Sequence, residues 1–110
     1  LLSELPVITP WQHPDGISAR HLYVIRLKLG EIRRTHREVF EAMRGAGVGV
    51  NLHYIPVHRQ PYQEQIRNAC TVLPEADRYY AEAISLPMYP GLTDQQQDHV
   101  VAALRGVCLA

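Results

Sequence analysis

The chain has 110 residues, the size of one domain built on a single modest core, which argues against two independent cores. Eleven Lys plus Arg balance eleven Asp plus Glu, and the basic residues gather on no evident face, which argues against a nucleic-acid or anionic-lipid binder. The longest apolar runs are a few residues, far short of the roughly 20 that cross a bilayer, so no membrane span is expected.

The opening LLSELPVITP has no initiator methionine and runs extended through two prolines, as a continuation of a longer polypeptide would. Residues 5–18, LPVITPWQHPDGIS, carry Pro6, Pro10, Pro14 and a Pro-Asp-Gly turn, which predicts an irregular lead-in with Trp11 anchoring it to the body. ARHLYVIRLKL then alternates, with Tyr23, Ile25, Leu27 and Leu29 on one side and Val24, Arg26 and Lys28 on the other. That is a strand with one buried face.

Thr35 followed by Glu38 forms a capping box, and Val39, Phe40, Met43 and Ala46 recur at helical spacing until Gly45 and Gly47 end the run. A helix over 36–45 follows. From Gly47 the period returns to two: Val48, Val50, Leu52 and Tyr54 share one face, Gly49, Asn51 and His53 the other, until Pro56 ends the pairing. A second strand is expected there, with His53 turned away from the valines.

Residues 60–73 carry no clear period. Pro74 suits the first turn of a helix with a stripe of Ala76, Tyr79, Tyr80 and Ala83, the tyrosines being read as packing residues. ISLPMYP allows a brief strand, and Thr93 with Gln96 caps a last helix whose core face is Val100, Val101 and Leu104. Strands separated by amphipathic helices predict a two-layer α/β sandwich, a small sheet with helices on one face. The other face, carrying Arg26, Lys28, Asn51 and His53, is left to solvent or a ligand.

NLHYIPVHRQPY, residues 51–62, concentrates the polar chemistry. His53 and His58 are five apart across a proline with no Cys, Asp or Glu in the segment to complete a metal shell. Ser3, Ser18 and Ser85 sit in no nucleophile elbow, and neither cysteine has a catalytic context. His53 could serve as an acid or base near neutral pH, though one histidine names no reaction. The segment can be a proline-punctuated strand end or one wall of a pocket for a polar ring-shaped ligand, and spacing does not separate the two. His21 reads as a buried histidine or a pocket residue, and Arg26 with Lys28 as a solvated edge or an anion site. Cys70 and Cys108, far apart and with no secretory signal before them, predict reduced thiols in a cytoplasmic protein.

HLYVIRL at 21–27, HYIPVHRQPY at 53–62 and PEADRYYAEAISLPMYPGLTDQQQDHVVAALR at 74–105 resemble, in order and spacing, the C-terminal part of the DegT/DnrJ/EryC1/StrS sugar aminotransferases. The resemblance covers nearly the whole chain. It implies the small C-terminal domain of the pyridoxal-phosphate-dependent aspartate-aminotransferase fold, with a mainly antiparallel sheet over residues 19–110. Residues 1–18 would then link it to a large domain outside this chain. The resemblance further implies a homodimer, glutamate as amino donor, and a UDP-linked 4-keto-6-deoxy-N-acetylhexosamine as acceptor.

In that family the HY pair, here His53 and Tyr54, faces the active-site cleft, and His58 matches the histidine of the same loop. All three are expected to hold the sugar nucleotide. Pyridoxal phosphate and its Schiff-base lysine would belong to the large domain, because Lys28, the sole lysine, lies mid-strand outside any cofactor motif. The isolated chain is therefore expected to be inert, with no catalytic residue of its own. Two departures stand out: Gln63 follows Tyr62 where an aromatic is expected, and EQIRNACTVL replaces a glycine-bearing loop, so the resemblance does not fix residues 63–73. The alternative is a stand-alone α/β module that binds a small ligand or mediates dimerisation through its open sheet face.

Overall fold

A computed structural model describes residues 1–19, 21–66 and 72–110. Its elements, in chain order, are β1 (Val7–Ile8), β2 (Tyr23–Leu27), α1 (His36–Gly45), a 3-10 turn at Val57–Arg59, α2 (Pro61–Ile66), α3 (Pro74–Glu82), β3 (Ala83–Leu86) and α4 (Asp94–Leu109). The sheet order is β1-β2-β3 and both pairings are antiparallel. Val7 faces Leu27 across the first ladder, and Ile25 faces Ile84 across the second.

Alternation along β2 decides where the core lies. Ile25 and Leu27 are fully buried on one face, where they join Val39 and Met43 of α1 and Val100, Leu104 and Val107 of α4. Arg26 points the other way and meets the last turn of α3. The expected two-layer arrangement of a small antiparallel sheet with helices packed on a face is thus present.

Both capping boxes form. Thr35 Oγ1 accepts from the Glu38 amide at 3.3 Å while the Thr35 amide donates to the Glu38 carboxylate at 2.7 Å. Thr93 and Gln96 repeat the exchange at 3.2 and 3.0 Å, so each box satisfies two orphan donors of its helix. Helix α1 stops in a Schellman turn: the Val48 amide donates to Met43 O at 3.0 Å, and the Gly47 amide to Arg44 O at 3.0 Å. Gly47 takes φ 79°, which favours a residue without a Cβ. Val48 and Met43, the apolar pair that closes such a turn, are both buried in the core.

Three expectations need correction. The lead-in is less irregular than its prolines suggest: Leu5 and Val7 belong to the core, and β1 pairs with β2 just after Pro6. Trp11 does not anchor it, being 79% exposed with its ring edge-on to His13. The predicted second strand after Gly47 is reduced to one bridge, Asn51 with Ser85. Val48 and Val50 are buried as the alternation requires, but Leu52 and Tyr54 turn out to solvent, because the chain leaves the sheet edge after residue 51.

Smaller differences follow the same logic. Ala83 is the buried first residue of β3 and not part of the α3 stripe, and Tyr79 is 41% exposed. His21 is exposed and so is not a buried histidine. Among residues 63–73, α2 runs as far as Ile66, and residues 67–71, Cys70 among them, lie outside the described residues. No helix among the described residues is long and apolar enough to cross a membrane.

Candidate functional site

The polar segment after Gly47 is built from its bridge to β3 outward. Asn51 and Ser85 exchange both backbone bonds, at 3.1 and 2.9 Å, which fixes residue 51 against the sheet edge. Asn51 Oδ1 then accepts from the Leu52 amide at 2.9 Å, a local bond that competes with further strand pairing. Two residues on, His53 Nδ1 lies 2.9 Å from Ser85 Oγ. Ser85 is 4% exposed, so a buried hydroxyl tethers a half-exposed imidazole and leaves Nε2 for an outside contact.

The His53–Tyr54 peptide is cis, and the two rings meet edge to face with centroids 4.6 Å apart. Tyr54 is 74% exposed, and Ile55 and Val57 beside it are exposed as well. Pro56 starts the 3-10 turn, where the Arg59 amide donates to Pro56 O at 2.9 Å, and Gln60 Nε2 donates back to Ile55 O at 3.3 Å. The result is a short ledge of aromatic and apolar side chains with a braced backbone.

His58 points the opposite way. Its side chain is 11% exposed and its Nε2 lies 2.9 Å from Asp77 Oδ1 in the first turn of α3, the same oxygen that Arg59 Nε reaches at 2.6 Å. Of the three residues singled out in the sequence, Tyr54 faces out, His53 is held at the edge, and His58 is turned inward. The structure places them on one loop with their side chains in three different orientations. Ser85 and Asp77, the groups that hold the two histidines, carried no signal of that role in the sequence.

Two cavities open among other described residues. One of about 600 Å³ opens between the turn at Gly47–Gly49 and the start of α4, with Tyr89 and His99 on its wall. A second, of about 370 Å³, opens between β2 and α3 beneath Trp11 and Tyr79. Arg26, read as a solvated edge or an anion site, lines that second cavity with its guanidinium already taken: Nε and Nη2 both donate to Glu82 Oε2, at 2.9 and 2.7 Å. Tyr79 stacks on it at 5.8 Å.

Lys28 sits exposed at the end of β2, its amine 3.5 Å from Glu31. Cys108 is buried in the core, and burial pushes its thiol up, which suits a packing residue and not a nucleophile. Among the described residues no three His, Cys, Asp or Glu side chains come close enough to hold a metal ion.

Residues 1–105 match the DegT/DnrJ/EryC1/StrS aminotransferase family. Spore coat polysaccharide biosynthesis protein SpsC of Bacillus subtilis is 37% identical over 103 residues, which cover 92% of this chain and 26% of SpsC. Among solved structures, DesV of S. venezuelae, determined in complex with a ketimine intermediate, superposes with a TM-score of 0.81 at 29% identity, over 96% of this chain and 27% of DesV. PseC of Helicobacter pylori, an aminotransferase of pseudoaminic acid biosynthesis, superposes with a TM-score of 0.75 at 22% identity, over 84% of this chain and 24% of PseC. The chain therefore spans about a quarter of the length of the relatives it matches. Its sheet and helices correspond to one domain of the aminotransferase fold, and the chain belongs to the DegT/DnrJ/EryC1/StrS aminotransferase family.

Proposed function

We propose that residues 19–110 form the C-terminal small domain of a cytoplasmic, homodimeric, pyridoxal-phosphate-dependent nucleotide-sugar aminotransferase, with residues 1–18 leading in from its large domain. Glutamate donates the amino group, and a UDP-linked 4-keto-6-deoxy-N-acetylhexosamine of the pseudaminic acid type accepts it. Family membership over residues 1–105 supports the reaction class. The likeness to PseC is consistent with the substrate branch.

The observation that carries the site is the tethered His53 beside the exposed Tyr54. An imidazole fixed through Nδ1 can offer Nε2 to a sugar hydroxyl or phosphate, and the tyrosine supplies ring surface and a hydroxyl. His58, bonded to Asp77, supports this wall from behind. His53 and Tyr54 hold substrate, His58 braces them, and none of the three takes part in the bond-making.

Bound pyridoxal phosphate supplies the electron sink for amino transfer. Lys28 does not fit the lysine that such chemistry needs, because an imine-forming amine must be desolvated, whereas the Lys28 side chain is 43% exposed and paired with Glu31. On this reading the reactive centre lies on the large domain, and the chain by itself is inert.

The test is a kinetic one on the full-length enzyme, with glutamate and a panel of UDP- and dTDP-linked 4-keto sugars. His53→Ala and Tyr54→Phe are expected to weaken the dependence on sugar nucleotide while the cofactor absorbance is unchanged. Wild-type kinetics in both variants would remove the holding role.

A further inference from the structure

The ledge Tyr54–Val57 is tied at both ends to one piece of chain. At its start His53 bonds Ser85 of β3, and just past its end His58 bonds Asp77 of α3. Helix α3 runs into β3 without a loop, Glu82 being followed directly by Ala83. The distance between the two anchor residues is thus set by regular backbone, and β3 is itself held by its ladder to β2.

From this geometry we infer that Asp77 is a positioning residue for the proposed sugar-nucleotide site, acting through His58 to hold the ledge at a fixed distance from the Ser85 tether. The inference rests on the reading of His53 and Tyr54 as substrate contacts. Three features support it. Asp77 Oδ1 receives both His58 and Arg59, so two consecutive residues of the 3-10 turn are drawn onto one oxygen. His58 is the least exposed partner of that cluster, at 11%, and its side chain is turned away from any ligand on the outer side of the ledge. Between the two ties Tyr54, Ile55 and Val57 are 74%, 51% and 71% exposed, a contiguous apolar surface for which solvent alone supplies no holding force. Fixing that surface beforehand removes the ordering cost from the binding step.

Loosening one tie lets the ledge sample positions that do not contact substrate, and apparent affinity falls by the fraction of time spent there. In the full-length enzyme, Asp77→Ala is expected to raise the KM for sugar nucleotide about five- to ten-fold, with kcat and the KM for glutamate near wild type. Asp77→Asn keeps an acceptor at Oδ1 and recovers most of the loss. His58→Ala removes the histidine half of the tie from the loop side without touching α3, and His58→Ala/Arg59→Ala removes all of it, which keeps the test decisive if Asp77→Ala folds poorly. The double variant Asp77→Ala/His58→Ala is expected to be no worse than the poorer single one, as two halves of one contact should be. Glu75→Ala, which breaks the exposed Arg78 pair in the same helical turn, serves as the control with unchanged KM.

A helix-stabilising Asp77 without a positioning role would lower thermal stability and leave the KM for sugar nucleotide alone, and that result overturns the inference, as do additive effects in the double variant. The two layers fail separately. If His53→Ala and Tyr54→Phe raise that KM while Asp77→Ala and His58→Ala do not, the clasp is wrong. If His53→Ala and Tyr54→Phe leave it unchanged, the site itself lies elsewhere.

Discussion

Removing the Ser85 hydroxyl probes the tether with little else disturbed. In Ser85→Ala the Cβ stays, and the paired backbone bonds with Asn51 at 3.1 and 2.9 Å do not involve the side chain, so β3 keeps its place. What goes is the 2.9 Å contact to His53 Nδ1. The imidazole is half exposed and can turn to water, so no buried polar group is orphaned, and the loss is that of an ordinary hydrogen bond, about 1 kcal/mol. Spent on ring orientation, 1 kcal/mol lowers the competent population about five-fold. The expected outcome is a rise of about five-fold in the KM for sugar nucleotide, measured at saturating glutamate, with kcat and cofactor absorbance unchanged. A KM within two-fold of wild type would show that the tether does not orient His53 for binding. A collapse of kcat at unchanged KM would place His53 in the chemistry and refute the holding role.

Three further outcomes test the fold. Thr35 holds the Glu38 carboxyl below the usual carboxylate range, first through its backbone amide and then through its hydroxyl. With the native value depressed, the contribution is fully present above the ordinary carboxylate range and fades as pH falls through the lowered value. Thermal melts of Glu38→Gln should therefore show a weaker loss of stability on acidification than wild type, and Thr35→Ala should lose about 1 kcal/mol at neutral pH. Leu104, 1% exposed in the core, should cost about 2–5 kcal/mol on truncation to alanine, read as a drop in the urea midpoint at constant slope.

Local signals carried most of the architecture. The Thr35–Glu38 and Thr93–Gln96 boxes, the alternation through Ile25 and Leu27, and the glycine stop at Gly47 each involve residues a few positions apart, and each appears in the structure where the pattern put it. What escaped the sequence depends on partners far along the chain. Strand β1 is two residues between prolines and exists because Val7 finds Leu27. Past Asn51 the periodicity continued in the sequence while the backbone turned away, since Asn51 caps its own neighbour and Ser85 pairs with residue 51 alone in that segment.

The candidate site divides the same way. His53, Tyr54 and His58 stood out through residue type and resemblance. Their different orientations did not, because Ser85 is 32 residues from His53 and Asp77 is 19 from His58. A serine in an apolar strand and an aspartate in a helix's first turn have ordinary structural readings, and nothing in their spacing points to a histidine.

On the proposed function, this domain holds the sugar nucleotide and leaves the bond-making to the rest of the enzyme. The most direct test separates the two half-reactions of the full-length protein by following cofactor absorbance in single turnovers, first with glutamate and then with sugar nucleotide. For His53→Ala the expected result is an unchanged glutamate half-reaction and a sugar half-reaction that saturates at higher concentration but reaches the wild-type limiting rate. A slowed glutamate half-reaction, or a limiting sugar rate that falls with no change in the saturating concentration, would contradict it.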